Sequence, residues 1–217
     1  MRIAVAIEAT PKKSFATAVD WPGWSRSGKT EALALEALVS YARRYVPVAR
    51  LAGEGLPTTG LEFEIVERTE GNGGTEFGVP SRVTDHDRRA VASADADRLA
   101  RVVDAAWTTF RSVAEGAPDE LRKGPRGGGR DTPKILFHIA EADIAYGREM
   151  GLPLKAAADD DAAVDTIRRA MLGLLRQPAD GSPIAGRRWT TRYAAHRIAW
   201  HALDHAWEIE DRTEPAG

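Results

Sequence analysis

Apolar positions change period part-way along the chain. In RIAVAIEA (Arg2 to Ala9), FATAVDW (Phe15 to Trp21) and LEFEIVER (Leu61 to Arg68) they alternate with polar or small ones, the period of a half-buried strand. The turn TPKKS joins the first two as a hairpin, GNGG at 71–74 is a turn, and TEFGVP reads as a short fourth strand. Between them EALALEALVSYARRY repeats its apolar residues at helical spacing, with Leu33, Ala37, Leu38 and Tyr41 on one face and Thr30 as N-cap.

From Asp95 onward the period is helical throughout. DADRLARVVDAAWTTFRSVAEG carries Leu99, Val102, Val103, Ala106, Trp107 and Phe110 on one stripe and stops at Gly116 and Pro118. Thr132 caps and Pro133 opens a second helix, TPKILFHIAEADIAYGREM, which ends at Gly151 and Pro153. A third runs from about Asp159 to Arg176, and a fourth, TTRYAAHRIAWHALDHAWEIEDR, from near Thr190 to Arg212. The expected fold is therefore α+β over residues 1–85, followed by an all-α four-helix bundle over 90–212.

One motif competes with this division. GWSRSGKT (Gly23 to Thr30) matches the phosphate-binding pattern G-x-x-x-x-G-K-[ST]. Such a loop follows a strand buried on both faces, whereas the preceding segment alternates and ends at Pro22. Downstream there is no series of buried strands with an Asp to hold Mg²⁺, so a nucleotide site is not expected. The segment FATAVDWPGWSRSGKTEALALEAL instead resembles the HicB-like antitoxin domain: an alternating strand into Pro-Gly, a polar stretch, Gly-x-Thr and a helix opening Glu-Ala-Leu. The resemblance implies that Gly23 and Gly28 shape the connection, Thr30 caps the helix and Lys29 is solvated. It covers about a third of the chain, and the separate DNA-binding segment usual in such antitoxins has no counterpart.

Composition narrows the function classes. The 217 residues carry 30 basic and 32 acidic side chains, a net charge of −2, so no global field recruits nucleic acid or an anionic membrane. There is no cysteine, which excludes disulfides, thiolate metal sites and a protein-borne thiol nucleophile. No run of 18 apolar residues or signal-like start occurs, and a soluble cytoplasmic protein is expected.

Chemistry concentrates in the histidines, of which there are five. His201 and His205 stand one helical turn apart on one face, the spacing of helix-borne metal pairs, bordered by Ile198, Ala202 and Ile209. His196 lies nearly opposite and His86 precedes the helices, so both are set aside. His138 lies among Ile135, Phe137 and Ile139, with small Ala142 and Ala145 on its face; read alone it is either a core histidine or a third ligand. His138 follows its helix start, and His205 precedes its helix end, by roughly 8–9 Å at about 1.5 Å per residue. They meet only if helices two and four are antiparallel, which requires one connection, Gly151 to Ala158 or Gln177 to Arg188, to cross the bundle lengthwise.

A four-helix region with His in FHIAEAD and H-x-x-x-H in its last helix resembles the DinB-like metalloenzyme superfamily, which includes mycothiol-dependent isomerases and transferases. The resemblance implies an up-down-down-up bundle and a divalent metal, Zn²⁺ or Ni²⁺, held by His138, His201 and His205 with open coordination positions. It implies a small-molecule substrate used with a low-molecular-weight thiol, or else hydrolysis. Glu208, one turn beyond His205, and Glu141, one turn beyond His138, are candidate catalytic carboxylates: each could orient an imidazole, serve as base or fourth ligand, or be merely solvated. The loop LRKGPRGGGRD, with Arg122, Lys123, Arg126 and Arg130, is either an entrance for an acidic substrate or a plain connection. A homodimer is expected, with no nucleic-acid or membrane partner. The competing reading is a non-catalytic HicB-like interaction module on a helical scaffold.

Overall fold

A computed structural model describes residues 1–123, 129–153 and 155–213, and among these the chain is mixed α and β, with four strands and seven α-helices. Strands β1 (Arg2–Ala9), β2 (Ser14–Ala18), β3 (Ser25–Gly28) and β4 (Glu62–Glu70) form one sheet in the order β3-β2-β1-β4. The hairpin β1–β2 and the pair β2–β3 are antiparallel, whereas β4 returns parallel to β1. The parallel return needs a crossover, supplied by α1 (Glu31–Ser40) and α2 (Ala42–Leu51).

The Gly23–Thr30 motif is explained by this sheet. Ser25 to Gly28 is an edge strand paired antiparallel to β2, not a buried parallel strand feeding a helix. Gly23 adopts φ +90°, and a Cβ there would come within 2.8–2.9 Å of Leu203 and Ala199. At Gly28 a Cβ would sit 2.4 Å from the Ala34 nitrogen. The Thr30 hydroxyl caps α1 by accepting from the Leu33 N–H, and Lys29 is exposed. Trp24 stacks on Tyr45 and donates to the Leu38 carbonyl, and Tyr45 donates to Pro22, which locks the Pro-Gly connection beneath the helices.

Two local expectations are corrected. The stretch expected as a fourth strand begins in a short helix, α3 (Gly73–Phe77), because Asn72 and Thr75 form a reciprocal capping box and Gly78 ends the helix at φ +102°. The helix expected to stop at Tyr45 is two helices meeting at Tyr41, the second running through Pro47 to Leu51. The face Ala42, Tyr45, Val46, Val48 and Ala49 is buried, which offsets the hydrogen bond Pro47 cannot make.

The remaining long helices are α4 (Ser93–Glu115), α5 (Thr132–Glu149), α6 (Asp161–Leu175) and α7 (Thr191–Arg212). Helix α4 packs on α6 and α7, and α5 on the same two. Contacts at their ends give the directions. Arg192 at the start of α7 reaches the Ala90 carbonyl and Asp95 at the start of α4. Arg188, just before α7, pairs with Glu149 at the end of α5, while Arg212 at the end of α7 bonds the Arg130 carbonyl just before α5. Ala179, just past α6, bridges Val91, just before α4. Helices α4 and α7 therefore run one way and α5 and α6 the other, so the chain between Glu149 and Asp161 returns along their length.

The sheet and these helices share one continuous apolar core, from Ile3 and Tyr45 through Val102 and Ile135 to Ile198 and Ile209. Helix α7 is its axis: Phe15 packs edge-on against Trp200, and the Val19 carbonyl accepts from His196. No helix among the described residues is long and apolar enough to cross a membrane.

Candidate metal centre

The stripe of α7 that faces α5 reads His201, His205, Glu208 and Arg212, one residue per turn. Trp200 and Trp207 are buried on one side of that stripe and Ile198 and Ile209 on the other, so hydrophobic packing fixes the rotation of the helix and with it the direction of both imidazoles. On α5, Ile135 and Ile139 are buried while His138 between them is half-buried, which turns its ring toward α7 at the edge of the core.

The three rings converge. Ring centroids are 5.0 Å apart for His138 and His201, 5.2 Å for His138 and His205, and 4.9 Å for His201 and His205. One nitrogen from each lies within 4.8 Å of the others, so the three could hold a metal ion. The Nε2 atoms of His138 and His201 are 3.2 Å apart. Two nitrogens bound to one tetrahedral zinc at about 2.0–2.1 Å would be separated by about 3.4 Å.

Electrostatics favour the form a metal needs. His201 is 8% exposed, and its pKa is pushed well below the ordinary value by burial first and then by His205 and Arg197. Burial, then Arg130, also lowers His138. Both rings are thus neutral near pH 7, as ligands must be. Neutral imidazoles with Nε2 facing Nε2 can satisfy that contact only if one carries a proton there; a shared cation satisfies both. The His201 Nδ1 is buried without a partner among the described residues. The donor set fits a divalent cation.

Glu208 lies behind His205 rather than in front of it. Its Oε2 accepts from the His205 Nδ1–H at 2.8 Å, since a carboxylate can only accept, and this leaves the Nε2 lone pair of His205 available. Its other oxygen accepts from Arg212 at 2.7 Å. The hydrogen bond from His205 is the main cause holding the Glu208 carboxyl below its ordinary pKa. Carboxylate, histidine and metal in series are the usual support of a histidine ligand.

No family model, curated protein or solved structure matches the chain.

The other candidates are placed as follows. Glu141 is exposed and has no hydrogen-bonding or ionic partner among the described residues. Asp204 pairs with Arg26 and Asp211 with Arg44, on the sheet side of α7. His196 bonds the Val19 carbonyl at 2.8 Å, and His86 lies 3.4 Å from Asp20, both away from the three rings. Of the basic loop, Arg126 lies outside the described residues; Arg122 and Arg130 are held through their carbonyls by Arg212. A cavity of ≈ 530 Å³ between α4, α5 and α6, walled by Phe110, Leu136, Phe137 and Val164, does not include the histidines.

Arg212 was not anticipated. The available signal was spacing: it stands four residues past Glu208, on the stripe that already carried two histidines.

Proposed function

We propose that the chain is a divalent-metal-dependent enzyme of the DinB-like kind, acting on a small molecule, with a HicB-like unit (1–85) packed along the last helix of an up-down-down-up bundle (90–212). The observation that carries this reading is the convergence of His138, His201 and His205, with one nitrogen from each within 4.8 Å of the others. The opposed directions of α5 and α7 support it, because they bring an early residue of one helix beside a late residue of the other.

A Zn²⁺ or Ni²⁺ held there supplies Lewis acidity, enough to make a water or thiol nucleophilic near neutral pH without any cysteine in the chain. The protein's own part is positioning. His201, buried, fixes the inner side of the site, and half-buried His138 leaves the α5 side accessible to substrate. Glu208 fixes the tautomer and orientation of His205; with one oxygen on His205 and the other on Arg212 it is a positioning carboxylate rather than a fourth ligand. Exposed Glu141, one turn beyond His138, is the carboxylate free to exchange a proton with a bound substrate. The reaction this supports is transfer or isomerisation through a low-molecular-weight thiol, or hydrolysis.

Metal analysis of protein purified without a polyhistidine tag tests the reading. One zinc or nickel per chain is expected, lost in His138→Ala, His201→Ala and His205→Ala. Metal content indistinguishable between the parent and all three variants sinks it.

A further inference from the structure

Arg212 is the last residue of α7, where a basic side chain would ordinarily snorkel into water, yet it is only 8% exposed. Its Nε donates to the Arg122 carbonyl and its Nη1 to the Arg130 carbonyl, both at 2.7 Å. The same Nη1 donates to Glu208 at 2.7 Å. Its own carbonyl accepts from the Arg122 N–H at 3.0 Å. One guanidinium thus ties both limbs of the connection between α4 and α5 to the carboxylate that holds His205.

Gly129 shows how close the approach is. Its φ is +125°, and a Cβ on it would lie 2.7 Å from the Arg212 Cζ and Nη2 and 2.8 Å from Nη1. A residue with a side chain would both strain the backbone and push the clamp aside.

We infer that Arg212 is a positioning residue coupling the basic connection to the metal centre: a cation on His205 secures the limbs at Arg122 and Arg130, and those limbs in turn raise affinity for the cation. The inference rests on the proposed metal site. The physical link is a single chain of charge-assisted hydrogen bonds, cation to imidazole to Glu208 to Arg212 to the two carbonyls, each fixing the geometry of the next. Coupling of this kind is reciprocal, so whatever factor the clamp adds to metal affinity the metal adds to the anchoring of the connection.

Zinc alone is the probe, and the full chain is used. The connection carries its own reporters, because trypsin cuts after Arg122, Lys123 and Arg130. In the parent, saturating zinc is expected to slow cleavage at these three bonds about tenfold, read bond by bond by mass spectrometry, with no change at sites in the N-terminal sheet. Arg212→Gln is expected to weaken zinc binding by about 10–100-fold, the usual cost of losing outer support of a ligand, and to abolish zinc protection of the three bonds. Gly129→Ala touches no ligand and lies outside every helix, so it keeps the test decisive if Arg212→Gln does not fold; it is expected to reduce both zinc affinity and protection. Arg212→Lys, which keeps the charge and not the fork, should restore little of either. Zinc binding in the parent without protection of the three bonds overturns the inference and leaves the metal site standing. Unchanged zinc affinity in Arg212→Gln and Gly129→Ala does the same. Absence of zinc binding in the parent overturns both.

Discussion

His196 and His201 are little more than one turn apart on α7, both are buried, and burial lowers the pKa of each, yet they face different surroundings. His196 points to the sheet, where its Nε2–H meets the Val19 carbonyl and one tautomer satisfies the contact. His201 points to α5, where its Nε2 meets the Nε2 of His138 at 3.2 Å, a contact that a proton on one of the two rings or a shared cation would satisfy. The sheet side of α7 sets its histidine against a backbone acceptor, although Nδ1 of His196, like Nδ1 of His201, is buried without a partner among the described residues. The other side brings three like groups together, with one nitrogen of each close enough to share an ion. A buried histidine is thus informative through its partner: a backbone carbonyl can only accept and fixes a donor tautomer, whereas clustered ring nitrogens could hold a metal ion.

The sharpest way to break the contrast is metal loading. Replacing His138, His201 or His205 by Ala should lower zinc affinity at least about a hundredfold, since each ligand carries a large share of a binding free energy of several kcal/mol. His196→Ala should leave zinc affinity within about twofold while lowering the unfolding midpoint. Isothermal titration and denaturant melts on the four proteins measure both quantities. Equal loss of zinc in all four would erase the distinction between the two sides.

The next largest effect belongs to the sheet side alone. Gly23→Ala forces a Cβ into Ala199 and Leu203 at a φ that only glycine adopts readily, and should cost about 3 kcal/mol of stability. Zinc affinity of the folded variant should stay near the parent's, because the ligands project from the opposite face. Urea unfolding followed by zinc titration of the folded fraction checks this. A large loss of zinc affinity would mean that packing on the sheet sets the rotation of α7 at the metal site.

How far the sequence reveals this arrangement depends on range. The strands β1 and β4 and the helices α4 to α7 are legible because their apolar period persists over enough residues to outweigh local exceptions. Strand β3 is not, since Ser-Arg-Ser-Gly has no apolar alternation and becomes a strand only by pairing with β2. The helix at Gly73 is signalled by Asn72 and Thr75 three residues apart, but the alternation of Thr-Glu-Phe-Gly-Val masks it, and Phe77 proves 89% exposed. At the candidate metal centre the His201–His205 spacing is written in one helix, whereas depth brings in His138 only if α5 and α7 run antiparallel, a condition that periodicity along the chain does not fix. The Arg212 clamp is not legible in this way, because its partners are backbone carbonyls of a distant connection and carry no side-chain signature.

A second polar cluster on the helical side provides a control of intermediate size. Asp143 on α5 is 2% exposed and accepts from Arg168 of α6 at 2.8 Å and from Trp107 of α4 at 3.3 Å, so both of its oxygens have donors. Burial nonetheless pushes its pKa up to about 6 from 3.8, the Arg168 charge offsetting only part of that cost. The carboxyl binds a proton more tightly folded than unfolded, so its contribution to stability is full below pH 3.8 and is lost as the pH rises through about 6. Asp143→Asn removes that dependence. Its stability relative to the parent should rise by about 2 kcal/mol between pH 4 and pH 7.5, with zinc affinity at pH 7.5 unchanged. A pH-independent difference between the two proteins would show that Arg168 alone keeps the carboxylate ionised throughout.

The smallest effect probes the sheet side where it comes nearest the ligands. Arg26 of β3 pairs at 2.7 Å with Asp204, the residue before His205, and lies over the Tyr41 ring at 4.0 Å. The pair is partly exposed, with side chains 20% and 36% accessible, so Coulomb attraction is screened and Arg26→Ala should cost only about 1 kcal/mol, with the cation–π contact included. Asp204 projects away from the His201–Glu208 stripe, and the hydrogen bond from His205 to Glu208 does not pass through it. Zinc affinity should therefore not move, and added salt should shrink the stability difference between variant and parent. A shift in zinc affinity larger than the stability change would show that the strand supports His205 through Asp204, and the two sides of α7 would then be one electrostatic unit.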